Sequence, residues 1–170
     1  MAPARLGKTP ITKAAKRVRR SALAAEALAE LQEHYHVANN LDIDADEVAR
    51  AEAVLEARLP TKVLNLKAAQ AWLETIAHAE DIDPPIVLKA RLSKDIEGVA
   101  VYDNHAIFVR DSTPTEMTLL HELAHFMGSF GHGPVFRENL AALLRRHLSI
   151  QHALIFTEAL KSPNKANRGQ

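Results

Sequence analysis

The residues with the most chemical content lie in one short stretch, Leu119-Leu120-His121-Glu122-Leu123-Ala124-His125-Phe126-Met127-Gly128. Positions four apart share a helix face, so His121 and His125 can bind one metal ion through two imidazole nitrogens. Glu122 follows about 100° further round such a helix. That places it poorly as a ligand and well as a base that holds a metal-activated water and takes its proton. The chain has nine histidines and thirteen glutamates in 170 residues, so the HExxH pattern would arise by chance only about 0.04 times. The spacing points to a metal-dependent hydrolase.

A catalytic zinc needs a third protein ligand and an open position for water. The chain has no cysteine, which leaves histidine and carboxylate as the ligand pool. Three downstream residues are candidates, in the order His132, Glu158 and Glu138. His132 lies beyond Gly128 and is flanked by Gly131 and Gly133, which permit a sharp return of the backbone. Metzincin spacing would put the third histidine at Gly131, and no methionine follows it, so that pattern is not met.

These residues need elements to position them. Thr113 as N-cap, Pro114 at the first helical position and Glu116 in a capping box predict a helix running to about Met127, with Gly128 as its stop. Its other positions are apolar almost all round, which predicts burial. Pro134 begins another helix, with Val135, Phe136, Leu140, Leu143 and Leu144 inward, and Ser149 caps a last one over 150–160. Ahead of the motif, residues 86–92, 99–102 and 106–110 read as three strands of a small antiparallel sheet. Asp103-Asn104-His105 joins the last two, and its Asp-Asn pair suits a tight turn and tolerates positive φ.

The N-terminal half is helical. A first helix spans about 14–37, with Leu23, Ala27, Leu28, Leu31 and Tyr35 as its stripe. A second, capped by Asp44 or Asp46, runs to about Leu59. It turns Val48, Ala51, Leu55 and Leu59 inward and Glu47, Arg50, Glu52, Glu56 and Arg58 outward. Asn65 caps a third, with Trp72 as a core anchor beside Leu66, Ala69, Leu73 and Ile76. His34, His36 and His78 read as structural.

The expected fold class is therefore α+β: N-terminal helices, a small antiparallel sheet, an HExxH helix and C-terminal helices. The domain spans 21–160, between a basic arm at 1–20 and a disordered tail at 161–170. Formal net charge is zero, so overall charge predicts no partner. The arm carries Arg5, Lys8, Lys13, Lys16, Arg17, Arg19 and Arg20 with no opposing acid and no interleaved aromatic. It reads as a solvated tail suited at most to weak phosphate contact with nucleic acid. The acid-rich run at 42–56 reads as a solvated helix face. The absence of cysteine excludes a disulfide-stapled secreted protein. No apolar run approaches a membrane span and the N-terminus lacks an apolar leader segment, so a cytoplasmic location is expected.

His121-Glu-Leu-Ala-His125 followed by His132-Gly133-x-x-Phe136 resembles the SprT-like (Spartan-type) zincin metalloproteases. Within that superfamily the chain is most similar to small actinobacterial and phage-associated metallohydrolases with a His-Gly-Pro-x-Phe turn. The resemblance covers residues 86–160 well and the N-terminal helices loosely. It implies a zincin-like fold, Zn2+ bound by His121, His125 and His132, and Glu122 as general base. It also implies that Ala106–Arg110 is an edge strand aligning an extended peptide. His105 and Tyr102, at the strand turn, are candidates for the donor that stabilises the oxyanion. SprT-like enzymes acting on DNA-bound proteins often carry a cysteine zinc ribbon; this chain cannot, so that DNA function is not carried over. The expected function is a zinc metallopeptidase acting on a peptide or protein substrate. Two alternatives are a nucleic-acid-associated module with a structural zinc, which would need no Glu122, and a hydrolase of a non-peptide substrate.

Overall fold

The computed structural model describes residues 22, 24–27, 29, 44–128 and 130–162. The basic arm, His34, His36 and residues 163–170 of the expected tail lie outside them, as does most of the first expected helix, of which residues 22, 24–27 and 29 are helical.

Two helices come first, α1 (Ala45–Arg58) and α2 (Leu66–Ala79). α1 buries Val48, Ala51 and Leu55 in the predicted stripe. α2 begins where Asn65 accepts a hydrogen bond from the Ala68 N–H, and it buries Ala69, Leu73, Ile76 and Ala77. Trp72 is partly buried and packs on the core.

Three four-residue strands follow: β1 (Ile86–Lys89), β2 (Gly98–Val101) and β3 (Ala106–Val109). Their spatial order is β1-β3-β2. β2 and β3 form an antiparallel hairpin, and β1 lies parallel to β3 on its other side. The sheet is therefore mixed, not antiparallel. The connection after β1 carries the chain past the place of β3 to the far edge, and the hairpin then returns between them. Ala106–Val109 is thus the central strand and not the edge expected to align a substrate. All four of its residues are buried. Its unbroken apolar run is the mark of a strand covered on both faces. At the hairpin turn the residue with positive φ is His105, at 50°, and not the Asp103-Asn104 pair expected to take it.

The motif helix, α3 (Glu116–His125), crosses beneath the sheet, with α4 (Pro134–His147) and α5 (Ile150–Lys161) behind it. Its N-cap is Thr115, whose hydroxyl accepts from the Thr118 N–H; the expected cap at Thr113 lies two residues too early. Glu116 does not close a capping box. It is buried, and its carboxylate accepts from the Lys62 N–H while its own N–H donates to the Lys62 carbonyl. α3 ends at His125, and Gly128 turns the chain with φ 94°. Pro134 opens α4 and Ser149 caps α5 as expected, but Val135 is 57% exposed and does not face inward.

The main core joins α1 to α5 with one face of the sheet through Val87, Ile107 and Val109. A smaller cluster on the other face gathers Val101, Ala106 and Phe108 around Ala27 from the N-terminal helical residues. Together these layers make a mixed α+β fold. None of the described helices is long and apolar enough to cross a membrane.

Candidate metal centre

The buried helix α3 delivers His121 and His125 from one face, one turn apart. The glycine turn at Gly128 reverses the chain, and His132 arrives just before α4 begins. The result is a group of three histidines, each offering one ring nitrogen, with those atoms all within 4.8 Å of one another. The His132 Nε2 atom lies 3.0 Å from His121 Nε2. Nitrogens bound tetrahedrally to one zinc at about 2 Å lie about 3.3 Å apart, so the donor set fits a single small ion. Phe136 from the first turn of α4 packs against all three rings, with centroids 4.9, 4.5 and 4.7 Å away. Glu138 and Glu158, the other candidate ligands, are exposed and stand outside the group.

A further residue orients the group. Glu52 Oε1 on α1 accepts a hydrogen bond from His121 Nδ1 at 2.6 Å. A neutral His121 that donates from Nδ1 carries its lone pair on Nε2, the nitrogen that faces His132. Burial by itself would depress the His121 pKa. The charge and hydrogen bond of Glu52 outweigh it, with smaller contributions from Glu122 and Glu97, and raise the value to about 9. Glu52 was expected to face outward. It sits four residues after Val48 and three before Leu55, so it borders the buried stripe. That spacing is a signal that an acid there could reach inside.

α1 also holds the third histidine, through an arginine. Arg137 Nε donates to the His132 carbonyl at 3.0 Å, and its Nη2 donates to Asp44 at 2.8 Å and Glu47 at 3.0 Å. The acids of α1 that read as a solvated face are therefore largely engaged within the fold. Glu56 joins them by accepting from the Thr61 backbone N–H at 3.0 Å.

Glu122 is buried, at 4% exposure, and lies against β2. Burial pushes its carboxyl up to about 7, while the charge of His121 and a hydrogen bond from the Ala100 backbone N–H act in the opposite direction. The charge of a cation at the three histidines would act in the same lowering direction as His121.

The two oxyanion candidates part company. Tyr102, just past β2, sets its ring edge-on to His125 with centroids 6.5 Å apart, and also contacts Phe126 and Phe130. Burial and then the charge of Glu122 raise its phenol to about 12, so it remains an O–H donor. His105 instead bonds through Nε2 to the Asp83 carbonyl and packs on Phe126, outside the three-histidine group.

No protein-family profile, no curated protein and no solved structure matches the chain.

Proposed function

We propose that the protein is a zinc-dependent metallopeptidase of zincin-like, SprT-like type. The observation that carries this reading is the convergence of His121, His125 and His132 beside a buried Glu122. The three imidazoles would hold the zinc, with His121 oriented by Glu52 and His132 by Arg137. When bound, zinc supplies Lewis acidity, making a water acidic near neutral pH and polarising a carbonyl. Glu122 would accept a proton from the attacking water and deliver it to the leaving amine. Tyr102 offers its O–H to the developing oxyanion. An extended peptide would lie along the outer edge of β2, using backbone groups other than the Ala100 N–H, and this edge replaces the expected Ala106–Arg110 strand in that role. A structural zinc module would have no use for a carboxylate kept so close to the ligands.

The test compares zinc content and cleavage of an unfolded protein for wild type and Glu122→Gln. Retained zinc with hydrolysis reduced by about 10²- to 10⁴-fold is expected. Full activity in the variant would remove Glu122 as the base, and absence of zinc from both proteins would remove the site. Repeating the assay with and without DNA tests the basic arm.

A further inference from the structure

Gly98 opens β2 with no turn to make. Its φ is not in the left-handed region, which among the described glycines only Gly128 occupies. The backbone there would accept alanine, so conformation does not demand a glycine. Space does. A Cβ built on Gly98 would lie 2.6 Å from Glu122 Oε1, 2.8 Å from its Cγ and 3.0 Å from its Cδ. The contact runs along the side chain and not only at its tip, and Glu122 is buried, so it has little room to yield.

The hydrogen bonds of the hairpin supply an independent observation. Arg110 N–H donates to the Glu97 carbonyl, which makes that pair a hydrogen-bonded one. Antiparallel pairs alternate, so Val99 with Phe108 and Val101 with Ala106 exchange hydrogen bonds, while the backbone groups of Gly98 and Ala100 point away from β3. Among the described residues β2 is an edge strand, so those groups lie along the side of the sheet away from β3. The Ala100 N–H there donates to the Glu122 carboxylate. One residue provides the gap and the next outward residue provides the donor.

We infer that Gly98 and the Ala100 amide form a backbone cradle that positions the Glu122 carboxylate against β2. Gly98 is a positioning residue: it acts through Glu122, whose side chain supplies the three atoms nearest its position. The catalytic consequence rests on the peptidase reading, whereas the cradle itself does not. A larger residue at 98 displaces the carboxylate, breaks its bond to Ala100 and leaves the three-histidine group intact.

The experiment follows amide hydrogen exchange of the metal-free full chain by NMR, beside zinc affinity and the kinetics of unfolded-protein cleavage. In Gly98→Ala, protection of the Ala100 amide should fall by about tenfold or more, while Val99 and Val101 keep theirs. Zinc affinity should be unchanged. The kcat should fall by about 100-fold at unchanged KM, as expected for a misplaced base. Glu122→Asp, shorter by one methylene, should restore Ala100 protection in the Gly98→Ala background. If Gly98→Ala does not fold, Glu122→Ala asks the same question, and selective loss of Ala100 protection supports the cradle. Unchanged Ala100 protection in Gly98→Ala or in Glu122→Ala overturns it. Wild type that shows the exchange pattern but cleaves no substrate defeats the peptidase reading and leaves the cradle standing.

Discussion

Two histidine–glutamate pairs in this molecule have the same hydrogen-bond length and different surroundings. His121 meets Glu52 at 2.6 Å, and His147 meets Glu80 at 2.6 Å. In the first pair the histidine bonds through Nδ1, and its Nε2 faces a second imidazole at 3.0 Å. In the second, Nε2 itself makes the bond, and Arg146 closes on the same carboxylate, its Nε donating to Glu80 Oε1 at 2.7 Å. Burial would raise the Glu80 pKa, but the hydrogen bonds and charges of Arg146 and His147 hold it below the ordinary carboxylate value. The Glu80 cluster ties the end of α2 to the end of α4 and satisfies itself. The Glu52 pair leaves a nitrogen directed at a group that a cation can complete. A histidine–carboxylate bond therefore has no fixed meaning; what the other ring nitrogen faces decides its role.

Breaking the two pairs separately tests that contrast. Glu52→Gln should weaken zinc affinity by about 10- to 100-fold, measured by competition with a chromophoric chelator. Glu80→Gln should leave zinc affinity unchanged. Equal losses in both variants would erase the distinction.

The second expectation concerns pH. Zinc must displace a proton from His121, whose pKa in the metal-free protein is raised to about 9. Zinc affinity should therefore climb as pH rises from 6.5 toward 9. In Glu52→Gln the climb should be complete at lower pH, because the charge that holds the proton is gone. Titrations at several pH values check both slopes.

The smallest effect belongs to the Glu80 cluster. Its folded-state pKa is lowered from 4.5, so its stabilisation is fully present above pH 4.5 and is lost as pH falls through the folded value. Thermal unfolding of wild type should show this acid-side loss. Glu80→Gln should lower Tm by about 3 °C at neutral pH and flatten that part of the profile.

Much of the site was legible before the fold was known. His121, Glu122 and His125 are local neighbours, and helix periodicity alone puts them on adjacent faces. His132 was legible because Gly128 must end the helix and the chain between them is short. Sheet order was not legible, since alternation and apolar content describe one strand at a time and do not say which strand lies in the middle. The cap at Thr115 was missed because Thr113-Pro114 mimics a helix start at a distance of two residues. Glu52 was assigned to solvent because helix polarity ranks side chains by type, and a carboxylate 69 positions before its partner carries no local mark of the encounter.

The sequence by itself determined the chemistry on α3: two imidazoles and a carboxylate within one turn, a glycine stop, and a third histidine within reach. These follow from helix geometry and chain connectivity, which act over a few residues. Tertiary structure decided what holds that chemistry in place. Glu52 reaches His121 because the shared core holds α1, which packs on α5, within side-chain reach of α3, and Glu122 lies against β2 because Gly98 leaves a gap at the edge of the sheet. Both depend on the packing of elements distant in sequence, and close packing is a property of the whole core that no single segment encodes.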